Sequence, residues 1–106
     1  MAEHNELGKL GERMALAYLQ EKGYTILATG YRYRRAEVDI IARKDDWVII
    51  VEVKTRTNRF FGRPEEFVSP AKIKQIVKAS DHLIKVAEID VEIRFDIISI
   101  ILYSKE

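Results

Sequence analysis

Two apolar rhythms divide this chain. Between residues 6 and 22, Leu7, Leu10, Met14, Ala17 and Tyr18 recur three and four apart, the spacing of one face of a helix. Asn5 stands where a helix cap is wanted, and Gly23 where a left-handed stop is wanted. Gly11 lies within this helix, where glycine costs roughly 1 kcal/mol against alanine, so a close neighbour is expected on its side. After Ser69-Pro70, a cap followed by a first-turn proline, the same spacing returns. Ile73, Ile76, Val77, Ser80, Leu83, Ile84 and Ala87 form one stripe and predict a second helix from 70 to about 86.

Elsewhere apolar residues alternate or run together. Residues 24–34, 37–43, 47–55 and 91–102 read as strands, the middle two joined by the polar turn Lys44-Asp45-Asp46. Residues 56–68, with their Arg, Phe, Gly and Pro, read as a loop. The order αβββαβ predicts an α/β fold, a mixed sheet with helices packed on it. A chain of 106 residues fits one domain, 1–106.

The hairpin carries charges where a sheet wants apolar side chains. Successive side chains point to opposite faces. Glu37, Asp39 and Ile41 then share one face, and Val38, Ile40 and Ala42 the other. In the second arm Val48, Ile50, Glu52 and Lys54 share a face, opposite Ile49, Val51 and Val53. A two-residue loop at Asp45-Asp46 pairs Lys44 with Trp47, which sets Asp39 opposite Glu52 and Glu37 opposite Lys54. Ile41, Val48 and Ile50 on the same face predict that a helix covers it. Like charges across a sheet repel and raise each other's pKa, so an offset is expected. Two carboxylates with water suit Mg²⁺. Lys54 beside it can orient or help deprotonate a water, or steady a phosphate, and the carboxylates favour its charged form. The plainer reading is an ordinary Glu37–Lys54 ion pair with Asp39 and Glu52 solvated at a sheet end.

Composition mainly removes classes of function. With 47% apolar and 33% charged residues the chain is globular rather than disordered. Without cysteine it has no disulfide, thiolate nucleophile or cysteine zinc site. The start, MAEHNELGKLGE, lacks the apolar core of a signal peptide, and the longest apolar run, WVIIV, is too short to span a bilayer. The expectation is a soluble cytoplasmic protein that avoids membranes. Net charge is +1, so any case for nucleic acid rests on local clusters. Arg32, Arg34 and Arg35 interleave with Tyr31 and Tyr33 before the hairpin. Arg56, Arg59 and Arg63 follow it with Phe60 and Phe61. These can neutralise phosphates and stack on unpaired bases. Lys74, Lys78 and Lys85 share a side of the second helix, which is read first as a solvated face. Asp96 is expected to pair with Arg94 or with an arginine loop, and His4 and His82 receive no role.

Asp39, twelve residues, then Glu52-Val53-Lys54 resembles the D…ExK signature of the PD-(D/E)xK nucleases. GKLGERMALAYLQEKGYTILATGYRYRRAEVDIIA, WVIIVEVKTRT, FGRPEEFVSPAKIKQIVKAS and RFDIISI together resemble the YraN-like family of small bacterial proteins over nearly the whole chain. The resemblance implies a restriction-endonuclease-like three-layer α/β/α fold, similar to archaeal Holliday-junction resolvases. It implies an Mg²⁺- or Mn²⁺-dependent endonuclease on DNA, at branched or damaged structures, working as a homodimer. Asp39 and Glu52 would be metal ligands, Lys54 the catalytic lysine, and Glu12 the acid brought by the first helix; Glu37 would support them. A nuclease-fold binding module without turnover is the alternative. This chain departs from the family at Ala36, where Gly is usual, and at Gly30, where Asn is common.

Overall fold

The computed structural model describes residues 2–57, 69–88 and 90–103. Helix α1 spans Ala2–Glu21, strands β1 Thr25–Tyr33, β2 Ala36–Lys44 and β3 Trp47–Thr57, helix α2 Pro70–Ala87, and strand β4 Glu92–Leu102. The strands form one sheet in the order β1-β2-β3-β4. β1, β2 and β3 are a meander of antiparallel hairpins, and β4 runs parallel to β3 from Trp47↔Glu92 to Thr57↔Leu102. A parallel neighbour needs a crossover, and α2 lies within it. Ile76 and Ala79 of α2 pack on Ala36, Val38, Ile41, Val48 and Ile50. Ala15 and Leu19 of α1 pack on Ile40, Ala42, Ile49 and Val51. Helices therefore cover both faces, giving three layers, α/β/α. No helix among the described residues is long and apolar enough to cross a membrane.

The first helix departs from its pattern. It begins at Ala2, so Asn5 lies inside it and is not its cap. Its buried face is Gly11, Ala15 and Leu19, whereas Leu10, Met14 and Tyr18 are exposed, Tyr18 by 53%. Small residues won that face because α1 lies close on the sheet. A Cβ on Gly11 would collide with Thr55 Oγ1 and stand 2.9 Å from Thr55 Cβ. The stop is as expected. Gly23 takes φ +91, and the amides of Gly23 and Tyr24 bond to the carbonyls of Gln20 and Leu19. In α2, Ser69 Oγ accepts from the Lys72 amide at 3.1 Å, with Pro70 in the first turn.

The β2–β3 turn pairs Lys44 with Trp47, as the two-residue loop requires. Further along β2 the strict alternation fails. Val38 joins Ile41 on the α2 side, three positions away, with Ile40 between them on the α1 side. β1 makes the same phase shift, because Ala28 and Tyr31 both pack on the α2 side. The ladder runs Thr29↔Ile40 and then Tyr31↔Val38, so the pair between them, Gly30 and Asp39, is skipped. Gly30 sits there at φ +57, a left-handed conformation that glycine adopts freely and asparagine tolerates. Asp39 thus lies at the point where β2 steps out of phase.

Candidate functional site

The β2–β3 ladder ends at Ile40↔Val51. Beyond it the Asp39 carboxylate takes over as acceptor: the Val53 N–H donates to Asp39 Oδ2 at 2.8 Å. That bond draws Asp39 toward β3, where the side chain of Glu52 is buried, 2% exposed. The two carboxyl groups stand close enough to shift each other's ionisation. Burial, then contact with Glu52, pushes Asp39 up to about 7, against the pull of the Val53 amide; the charges of Glu52 and Glu12 add to the rise. Burial also pushes Glu52 upward, but the bond from Asp39 and the ammoniums of Lys72 and Lys54 outweigh it and hold Glu52 below its ordinary value. Asp39 is therefore the easier of the two to protonate, and Glu52 the easier to ionise.

Lys54 stands next to this pair on β3. Its pKa is lowered, first by burial and then by Lys72, and the two carboxylates offset this only in part. The carboxylates favour the charged form of Lys54, as expected, while burial and a second cation, Lys72, oppose them. Lys72, from the first turn of α2, places Nζ 2.8 Å from Glu52 Oε2. It pays the desolvation of its site, yet the Glu52 contact raises its pKa overall. Glu52 Oε2 is fully buried and its contact with Lys72 is poorly aligned for a hydrogen bond, so that contact is chiefly ionic.

Glu12 follows Gly11, whose contact with Thr55 fixes α1 beside the end of β3. It is half-buried, and its charge reaches Asp39. Among the described residues, however, no three His, Cys, Asp or Glu side chains stand together as a metal cluster. Glu37 does not face Lys54. It lies in register with Arg32 on β1 and pairs with it, Arg32 Nη2 to Glu37 Oε2 at 2.7 Å, because the phase shift at Asp39 turns it toward β1.

A cleft of about 540 Å³ runs from Asp39 along the start of α2, lined by Arg35, Glu37, Asp39, Ser69, Lys72 and Gln75. Arg35 and Gln75 also line a neighbouring 240 Å³ hollow with Tyr33, Arg34 and Lys78. Arg34 forms the β1–β2 turn at φ 57 and lies over the Tyr33 ring at 5.3 Å. Arg56 Nη1 donates to Thr55 O. Arg59 and Arg63, with Phe60 and Phe61, lie outside the described residues. Of the second-helix lysines, Lys85 pairs with Asp81, and Lys78 reaches the hollow. Asp96 pairs with Arg94 through two 2.9 Å contacts, as expected.

Two side chains escaped the sequence reading. His82 stacks on Tyr33, ring centroids 4.1 Å apart, and its Nδ1 is 3.2 Å from the Tyr31 hydroxyl, which ties α2 to β1. Lys72 is the other. It stands four residues before Ile76 and so shares the sheet-facing stripe of α2, a signal legible in the spacing.

The fold and site define a three-layer α/β/α domain with an acidic pair and two lysines where its hairpin parts. The chain belongs to UPF0102, an uncharacterised protein family, whose model matches residues 11–100. It is 56% identical over 101 residues to a UPF0102 protein of Christiangramia forsetii, covering 95% of this chain and 85% of that protein. It is 51% identical over 106 residues to UPF0102 protein FP2501 of Flavobacterium psychrophilum, covering 100% and 89%. A UPF0102 protein of Bacteroides thetaiotaomicron is 54% identical over 101 residues, covering 95% and 84%.

Proposed function

We propose that this protein is a divalent-metal-dependent endonuclease that hydrolyses DNA phosphodiester bonds at branched or damaged structures. The observation that carries this reading is Glu52 Oε2, a buried carboxylate oxygen without an aligned donor, beside a second carboxyl and two lysines. A buried carboxylate oxygen beside a second carboxyl fits a hard cation. Two carboxylates are sufficient for Mg²⁺ or Mn²⁺, because Mg²⁺ keeps several waters and takes the rest of its shell from them and from substrate phosphate. Asp39 and Glu52 would hold the ion, which would supply Lewis acidity toward a phosphoryl oxygen.

The chain's own residues supply the rest. Lys54, beside the pair on β3, can orient an attacking water or help take up its proton. Arg35 and Lys72 line the cleft and Lys78 the neighbouring hollow, where they can neutralise phosphates. Glu12 adds negative charge that favours a cation at Asp39. The resemblance to PD-(D/E)xK nucleases and Holliday-junction resolvases supports this assignment; a homodimer on branched DNA and a cytoplasmic location are proposed with it.

The ion pair between Lys72 and Glu52 favours a second reading, a nucleic-acid-binding module without turnover, since the anion already has a counter-charge. A panel of junction, flap, nicked and linear DNA with Mn²⁺ separates the two. Cleavage by wild type that is lost in Glu52→Gln, with DNA binding retained, is the expected result. Binding without cleavage of any substrate leaves the docking module. Equal cleavage by both proteins removes Glu52 from the chemistry.

A further inference from the structure

We infer that Lys72 is a built-in stand-in for the divalent cation, its ammonium neutralising Glu52 until a metal arrives and then passing to the substrate's phosphate. This rests on the reading of Asp39 and Glu52 as metal ligands. Its consequence is that metal and phosphodiester bind cooperatively, each easing the entry of the other.

Four observations converge. Glu52 is the buried anion of the site, and a buried anion without a counter-charge is strongly destabilising. Lys72 supplies that charge at 2.8 Å. Yet Oε2 accepts no aligned hydrogen bond, so the lysine meets the charge of this oxygen without saturating it. Lys72 also occupies the first turn of α2, which holds no acidic residue. The helix end is positive there and disfavours a lysine, so the Glu52 contact is what holds the head in place.

The side chain is free to leave. It is 39% exposed and lines the cleft with Arg35 and Gln75, so its head has room to turn from Glu52 into the cleft. Lys54 lies two residues along β3 from Glu52, so two lysines already stand at one buried carboxylate. A divalent ion added between Asp39 and Glu52 would repel both. A phosphate in the cleft gives the Lys72 head another anion within reach of the same stem. By linkage, what removes the ammonium from Glu52 strengthens the metal, and the reverse holds.

The test is titration calorimetry with Mn²⁺ and thermal melting in EDTA on the full chain, comparing wild type with Lys72→Met, Lys72→Arg and Glu52→Gln. Lys72→Met is expected to bind Mn²⁺ about tenfold tighter, through loss of a repelling charge, while melting lower in EDTA. Lys72→Arg keeps the charge and should resemble wild type in both. A merely structural lysine would instead weaken metal binding along with stability. Should Lys72→Met fail to fold, Lys72→Gln serves, since its amide can still donate to Glu52 without a charge. Unchanged or weaker Mn²⁺ binding in the uncharged variants overturns the inference. If Glu52→Gln abolishes binding in that same experiment, the metal-ligand reading survives the loss. If no variant and no wild type binds Mn²⁺, both fall together.

Discussion

The carboxylate of Asp39 accepts the backbone N–H of Val53 at 2.8 Å, just past Ile40↔Val51, where the β2–β3 ladder ends. A side chain thus replaces a ladder bond, and by doing so it carries its second oxygen toward Glu52. Asp39→Asn retains an acceptor for this amide and should cost under about 1 kcal/mol. Asp39→Ala leaves a part-buried N–H unmet and should cost about 1–3 kcal/mol. Urea denaturation of the two variants in EDTA measures the difference, and equal losses would show that the bond does not hold the strands.

The same pair sets a pH dependence. Asp39 keeps its proton in the folded chain up to about 7, against an ordinary 3.8, so the native state binds more protons between those values. Its contribution is present at acid pH and is lost as pH rises toward 7. Glu52 is shifted the other way, so its contribution is present above its ordinary 4.5 and is lost as pH falls below it. One whole proton corresponds to roughly 1.4 kcal/mol per pH unit; solvent reaches Asp39, which makes the expected slope a fraction of that. Urea midpoints in EDTA should fall from pH 5 to pH 8 in wild type and stay flatter in Asp39→Asn.

Gly11 and Thr55 set how close α1 lies to the sheet. Gly11→Ala places a methyl against Thr55 and should cost about 2–3 kcal/mol by overpacking. Gly11→Ala with Thr55→Gly removes the colliding side chain and should recover part of that loss. Additive losses in this double-mutant cycle would mean that the two residues do not share the contact.

Gly30 is asked for by its backbone rather than by space, since nothing stands within 4 Å of a Cβ placed there. At φ +57, Gly30→Ala should cost about 1–2 kcal/mol and Gly30→Asn clearly less. Thermal melting ranks the three. Alanine as stable as glycine would place the strand phase shift elsewhere.

The sequence by itself determined the element order, the hairpin turn at Asp45-Asp46, the cap at Ser69, the stop at Gly23 and the covering of Ile41, Val48 and Ile50 by a helix. These are local matters: spacing, turn length and the chemistry of chain ends act within a few residues. The two-residue loop also predicted Asp39 opposite Glu52, although the ladder itself ends one pair earlier, at Ile40↔Val51.

Only the tertiary structure decided which face of α1 is buried. Large apolar residues mark one stripe, but close packing against Thr55 rewards the small one, Gly11 and Ala15. Only it turned Glu37 toward Arg32, since a phase shift shared by β1 and β2 at Gly30 and Asp39 reverses every side chain beyond it. And only it delivered Lys72 to Glu52, across a connection from β3 to α2 whose path no periodicity records. Charges that meet from elements distant in sequence do so because layers pack, and packing depends on the whole chain at once.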